Sequence, residues 1–172
     1  PVGEHAAQPA VVDEMLTRST CCVSNRALRL ALGTDEKNLA GLLSAAANEG
    51  LVTSATDLGT GGLLRAVADG VLRFGVGARV WIDEIVSRDG VDSTAVLFSE
   101  TQARVLVSVA REDDVKFRGL CDGRNVPVLR VGVTDSTSDV LEVQGLFDIP
   151  VAELSRVHRG TLPAHFGAVV GG

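Results

Sequence analysis

The sequence has no Tyr, a single Trp and a single Met, and aromatic residues make up only 3% of it. Stacking platforms for single-stranded nucleic acid and aromatic belts at a membrane surface both need more rings than this. Runs of Lys or Arg are also missing, and 22 acidic against 16 basic residues leave a formal net charge of −6. A nucleic-acid binder carries the opposite sign on a patch or stripe, so no nucleic-acid partner is expected. Nowhere does an apolar run approach the ~20 residues of a membrane helix, so no membrane partner is expected either. No basic segment followed by an apolar one opens the chain, and nothing marks secretion. Cysteine is scarce: Cys21, Cys22 and Cys121. An odd, low count fits a reducing compartment better than a disulfide framework, which points to a cytoplasmic location. The adjacent Cys21 and Cys22 lack zinc-knuckle spacing and read as small hydrophobes, with a vicinal disulfide or redox switch as the alternative. His5, His158 and His165 are scattered, and neither HExxH nor CxxC occurs, so no zinc site is expected.

What is present is a globular composition. The 172 residues are 45% hydrophobic and 22% charged. A chain of this length can bury roughly 70% of its unfolded surface in one core without a metal or disulfide. Residues 1–33 read as a leader or linker. Pro1 to Pro9 is small and polar, Ala10 to Leu16 offers one or two helical turns, and Leu28, Leu30 and Leu32 form a short apolar alternation. From Thr34 the pattern sharpens. Thr34 is a helix N-cap followed by Asp35 and Glu36. Leu39, Leu42, Leu43, Ala46 and Ala47 then form a helical stripe that Gly50 ends. A strand at Leu51–Ala55 runs into Asp57, and a second helix buries Leu63, Leu64, Val67, Ala68, Val71 and Leu72 before Gly75 and Gly77. Further strands are predicted at Ala78–Ile82, Thr94–Phe98, Arg104–Val109, Val126–Val133 and Val140–Val143. A third helix is predicted at Glu112–Cys121, and a terminal one starts at Ile149–Leu154 with Pro150 at its first turn. Gly160–Gly172 reads as a tail. The fold class is α/β or α+β, a mixed β-sheet with helices packed on it.

Two segments could carry chemistry. In the first, Asp57 ends a strand, Gly59-Thr60-Gly61-Gly62 turns, and a helix begins. The free amides and positive dipole end of such a helix attract anions, and glycines let a phosphate approach the backbone. A carboxylate beside a phosphate serves a magnesium ion. The plainer alternative is a tight strand-to-helix turn capped by Asp57. No GKS/T follows, so this is not a Walker loop, and it is not a GxGxxG dinucleotide turn. The second segment is Phe98-Ser99-Glu100-Thr101-Gln102-Ala103-Arg104, which puts polar groups between two apolar strands. Ser99, Glu100 and Gln102 could hold a substrate there; the alternative is a polar hairpin with a Glu100–Arg104 surface pair of little energy. Trp81 reads as core or edge packing, Asp83 and Glu84 as solvated turn charges, and Cys121 as a helix residue rather than a catalytic thiol.

Together, in this order, the stretches Glu49-Gly50-Leu51-Val52-Thr53-Ser54-Ala55-Thr56-Asp57-Leu58-Gly59-Thr60-Gly61-Gly62-Leu63 and Leu97-Phe98-Ser99-Glu100-Thr101-Gln102-Ala103-Arg104-Val105-Leu106-Val107 resemble the C-terminal domain of the aminoimidazole ribonucleotide synthetase superfamily. Within it they look most like the synthetase subunit of phosphoribosylformylglycinamidine synthase. Thr161-Leu162-Pro163-Ala164-His165-Phe166-Gly167 resembles the end of that enzyme's bacterial small form. The resemblance covers 34–167, leaving 1–33 as leader and 168–172 as tail. The family motif reads Ser-Ala-His-Asp-Leu-Ser-Asp-Gly-Gly-Leu. Here Thr56 replaces His, Gly59 replaces Ser and Thr60 replaces Asp, while Asp57, Gly61 and Gly62 remain.

The resemblance implies a domain of an ATP-dependent ligase of purine biosynthesis. That enzyme converts formylglycinamide ribonucleotide to the amidine: ATP activates the amide oxygen as an iminophosphate, and ammonia then displaces the phosphate. It implies Mg2+ and ATP or ADP as cofactors, bound only with the N-terminal nucleotide-binding domain. Asp57 would be the metal ligand. Gly59, Thr60, Gly61, Gly62, Ser99, Glu100 and Arg104 would line the nucleotide or substrate-phosphate site. The implied partners are that N-terminal domain and the glutaminase and small accessory subunits of the complex. An apolar face left bare without the first domain would favour a homo-oligomer. The 172 residues contain neither the N-terminal ATP-site motifs nor a glutaminase Cys–His pair, so the chain alone is expected to be inactive. Two alternatives stand beside this: a non-catalytic structural or interaction domain with a degenerate nucleotide site, and another superfamily member such as a hydrogenase maturation factor or a selenophosphate synthetase.

Overall fold

The computed structural model describes residues 26–33 and 36–166. Thr34, Asp35, Cys21, Cys22 and His5 lie outside the described residues, as do Gly167–Gly172. In chain order the elements are β1 Ala27–Leu32, α1 Glu36–Asn48, β2 Val52–Asp57, α2 Gly62–Phe74, β3 Gly77–Val80, α3 Asp83–Asp89, α4 Ser93–Phe98, β4 Arg104–Val109, α5 Asp114–Gly123, β5 Val128–Asp135, β6 Val140–Val143, β7 Phe147–Pro150 and α6 Val151–Phe166. The strands form one mixed sheet in the order β2-β4-β1-β5-β3-β6-β7. Every neighbouring pair is antiparallel except β3 and β6. This is the α/β fold of a mixed sheet with helices packed on it that the sequence predicts.

Both faces of the sheet are covered at β4 and β1, so these two strands are apolar on both sides and not merely alternating. Leu28 and Leu30 of β1 and Leu106 of β4 point to the layer containing Leu63, Val67 and Val71 of α2, Ile85 of α3 and Val96 and Leu97 of α4. Val105, Val107 and Val109 of β4 and Ala31 of β1 point the other way, onto Leu39, Leu42 and Ala46 of α1 and Phe117 and Cys121 of α5. The period-two alternation of β4 sorts its residues between these two cores. Helix α1 ends as its stripe predicts: Gly50 takes φ +69°, its N–H donates to Ala47 O, and Leu51 N–H donates to Ala46 O. These are the paired bonds of a Schellman cap.

Several elements differ from the sequence reading. Strand β1 falls within the 1–33 stretch read as leader, yet it pairs with β4 on one side and β5 on the other. Thr94–Phe98, read as a strand, is helix α4. The Asp92 carboxylate caps it by accepting Ala95 N–H at 2.8 Å, and a short apolar run carries no period of its own to tell strand from helix. Pro150 ends the edge strand β7, and the helix begins one residue later. Residues 160–166, read as tail, continue α6 with Pro163 inside it. Trp81 is half-buried and donates from its indole to Arg130 O at 3.0 Å. Asp83 and Glu84 are exposed in the first turn of α3. Among the described residues no helix is long and apolar enough to cross a membrane.

One buried charge tests this layering. Arg29 of β1, 7% exposed, lies on the α1/α5 face and makes a bidentate pair with Asp114 at the start of α5, at 2.8 and 2.5 Å. Removing one member of such a pair leaves the other uncompensated in the core. Asp114→Ala is expected to lower unfolding free energy by about 3 kcal/mol in urea titration. Replacing both residues with apolar ones, Arg29→Met with Asp114→Leu, should recover most of that loss.

Candidate functional site

The pairing of β2 with β4 places Asp57 opposite Val105, and Leu58 N–H donates to Arg104 O at 3.0 Å. The end of one strand therefore lies beside the start of the other, at the outer edge of the sheet. Leu58 is buried and anchors the chain as it leaves the sheet. A tight turn follows, closed by Gly62 N–H donating to Gly59 O at 3.0 Å. Gly61 (φ +84°) and Gly62 (φ +63°) both lie in the left-handed region that favours glycine. At Gly62 an added Cβ would stand 2.8 Å from the carbonyl oxygens of Leu97 and Ser99. The start of α2 thus rests on the last turn of α4.

That contact brings the second polar segment to the turn. Glu100 Oε1 accepts Gly61 N–H at 2.9 Å. The expected cap by Asp57 does not form, because the residue before α2 is Gly61 and no side-chain cap bond is made there. Nor does the expected Glu100–Arg104 surface pair form among the described residues. Arg104 instead donates to Ser99 O and, at 3.1 Å, to Thr101 O. Ser99 Oγ and Thr101 Oγ1 lie 2.7 Å apart. Burial lowers the Arg104 pKa from its usual value, while the charge of Asp89 opposes the shift. The loop is therefore folded around a guanidinium held by its own carbonyls, and Ala103 (φ 58°) turns the chain into β4.

The fold gathers all the predicted site residues at this corner: Asp57, Gly59, Thr60, Gly61 and Gly62 from one segment, Ser99, Glu100 and Arg104 from the other. The Asp57 carboxylate is exposed, lies 3.7 Å from where a Cβ of Gly59 would stand, and makes no hydrogen bond or ion pair among the described residues. Magnesium takes one or two protein carboxylates and fills its other positions with phosphate and water oxygens. A single exposed, unpaired carboxylate beside a glycine turn fits that role. Among the described residues no group of three or more His, Cys, Asp or Glu could hold a metal without such help. Phe98, named in the second segment, is 52% exposed beside the turn; the strand assignment of Thr94–Phe98 concealed the helix that turns it outward. Cys121 is buried in α5, and burial pushes its thiol up to about 11, so it is no nucleophile at neutral pH. A groove of about 460 Å³ along α5, lined by Val115, Arg118, Gly119, Asp122 and Val128, borders the other helical layer.

Gly62→Ala is expected to cost about 3 kcal/mol, from left-handed backbone strain plus the clash with the α4 carbonyls. Gly70→Ala, inside the same helix with nothing within 4 Å, should instead add about 0.7 kcal/mol. Thermal unfolding of the two variants checks the contrast.

Residues 3–144 match the family described as AIR synthase related protein, C-terminal domain. Phosphoribosylformylglycinamidine synthase subunit PurL of Leifsonia xyli subsp. xyli is 62% identical over 139 residues, which are 79% of this chain and 18% of that protein. The chain thus spans less than a fifth of the length of this relative. Among solved structures, Thermotoga maritima PurL complexed with ATP superposes with a TM-score of 0.68 at 21% identity, covering 79% of this chain and 26% of that one. The structure of PurLQS from Thermotoga maritima gives a TM-score of 0.69 at 22% identity, covering 79% and 27%. At these identities the superpositions speak for the fold.

Proposed function

The chain belongs to the AIR synthase related proteins, as their C-terminal domain, and on that premise we propose that it forms one wall of the nucleotide and substrate cleft of a synthetase that converts formylglycinamide ribonucleotide to the amidine in purine biosynthesis. The observation that carries this reading is the corner where Asp57, the glycine turn and the 99–104 loop converge, in a chain 62% identical to a PurL subunit. The amide-rich start of α2 offers its positive end to phosphoryl oxygens. Asp57 supplies one carboxylate to magnesium, which when bound neutralises phosphate charge. Ser99 and Arg104 hold the cleft wall: the guanidinium locks the loop that carries Glu100 to the turn. Gly59 brings no hydroxyl and Thr60 no carboxylate, so side-chain contacts to nucleotide and metal are fewer here than in the family motif, while the backbone anion site remains.

An adjoining nucleotide-binding domain completes the cleft, as the relative's much greater length supports. Accessory and glutaminase subunits are the partners of the assembled enzyme; the PurLQS assembly of a structural neighbour supports this. A second reading, a non-catalytic domain with a degenerate site, draws on the replacement of the motif's Ser and Asp by Gly59 and Thr60.

Isothermal titration of Mg-ADP into the intact subunit containing this domain separates the two. Under the first reading Asp57→Ala weakens magnesium-dependent binding by about tenfold, the loss of one charge-assisted ligand. Unchanged affinity would favour the second reading. Assayed alone, the 172-residue chain is expected to form no amidine from formylglycinamide ribonucleotide, ATP and ammonia; measurable turnover would show that one wall suffices.

A further inference from the structure

At the start of α2 an anion is already in place. Glu100 Oε1 accepts the Gly61 N–H at 2.9 Å, and both groups reach solvent. We propose that Glu100 is a positioning residue that latches the glycine turn to the α4–β4 loop, and that its carboxylate must leave Gly61 before a phosphoryl oxygen can take that amide. The competition half of this proposal rests on the phosphate-binding reading of the turn; the latch half does not.

Three observations support it. On the two segments that meet here, the charged side chains nearest the turn in sequence are Asp57, Arg65 and Asp69, with Arg104 at the end of the loop. None of the cations among them engages Glu100: Arg65 is bound to Asp69 at 2.7 Å, and Arg104 is bound to the carbonyls of Ser99 and Thr101. The hydrogen bond to Gly61 therefore alone fixes where this carboxylate sits among the described residues. The helix dipole favours a negative group at that position. A solvent-exposed hydrogen bond is also weak in net terms, so a multiply charged oxyanion can displace it at small cost. The resulting device couples two segments: while Glu100 is engaged the turn is tied to the loop, and when an oxyanion enters the loop is released.

The test uses this chain with Glu100→Ala and Glu100→Gln, read by amide exchange at Gly61 and by titration with inorganic phosphate followed at the amides of residues 59–63. Exchange at Gly61 should accelerate about tenfold in Glu100→Ala and stay near the unsubstituted rate in Glu100→Gln, whose amide oxygen still accepts. Phosphate should bind about tenfold more tightly to Glu100→Ala than to the unsubstituted chain, because the internal competitor is gone. Unchanged exchange in Glu100→Ala overturns the latch. Faster exchange with unchanged phosphate affinity, or with no phosphate binding in any of the three proteins, overturns the competition. The Asp57→Ala titration with Mg-ADP reports on the site reading through a different residue, so the two failures are distinguishable.

Discussion

Helix α2 can begin where it does only because position 62 carries no side chain. Its φ of +63° turns the backbone in a direction that costs other residues energy, and its α-carbon faces two carbonyl oxygens at the end of α4. Everything at the corner follows from that approach. Leu63, fully buried, and Leu97, 4% exposed, lock the two helices from the core side. With the helices so fixed, the chain leaving α4 has one place to go, and it carries Glu100 under the Gly61 amide. A packing constraint inside the core thus sets the geometry of polar groups outside it. The same register turns Phe98 outward, half exposed beside the turn, while its neighbours Val96 and Leu97 go inward.

The sheet places that corner at the boundary of the molecule. β2 is an edge strand, so the turn after Asp57 has the sheet on one side and solvent on the other. The interior strands β1 and β4 are covered on both faces, and the Arg29–Asp114 pair ties the middle of the sheet to α5. A buried pair of this kind contributes specificity of layering more than net stability: a one-residue slip of β1 would turn Arg29 away from Asp114. The rigid centre and the open edge are therefore complementary, the first fixing the positions from which the second is presented.

Much of this was legible because periodicity and turn chemistry are local. The stripe Leu39, Leu42, Ala46 buries as its spacing demands, Gly50 terminates α1, and the alternation of Val105, Val107 and Val109 divides β4 between two cores. Convergence of the two polar segments was legible through motif order. What was not legible depends on long-range partners. The alternation at Leu28, Leu30 and Leu32 is too short to reveal a central strand; its neighbours β4 and β5 lie about 75 and 100 residues away, where Leu30 pairs with Leu106 and Leu129. α4 was hidden because a six-residue apolar run with Val and Phe suits a strand equally well; the Asp92 cap was the one local signal. The partner of Glu100 was hidden too. Sequence spacing offers Arg104, four positions away, whereas the sheet register delivers Gly61.

The inventory of oxygen ligands at the corner fits the shared site of the proposed function, not a self-contained one. A magnesium ion requires six oxygens in near-octahedral array and surrenders its water reluctantly. Asp57 offers one carboxylate, Glu100 is engaged at Gly61, and no third acidic, His or Cys side chain joins them among the described residues. Thr60, where the family motif has a carboxylate, brings at most a neutral hydroxyl. If Asp57 holds magnesium as proposed, the remaining ligands come from phosphates, from water and from the adjoining domain. An exposed, unpaired Asp57 at an open sheet edge is what such a division of ligands would leave on this side. A self-sufficient metal site would instead have buried and paired that carboxylate within its own domain.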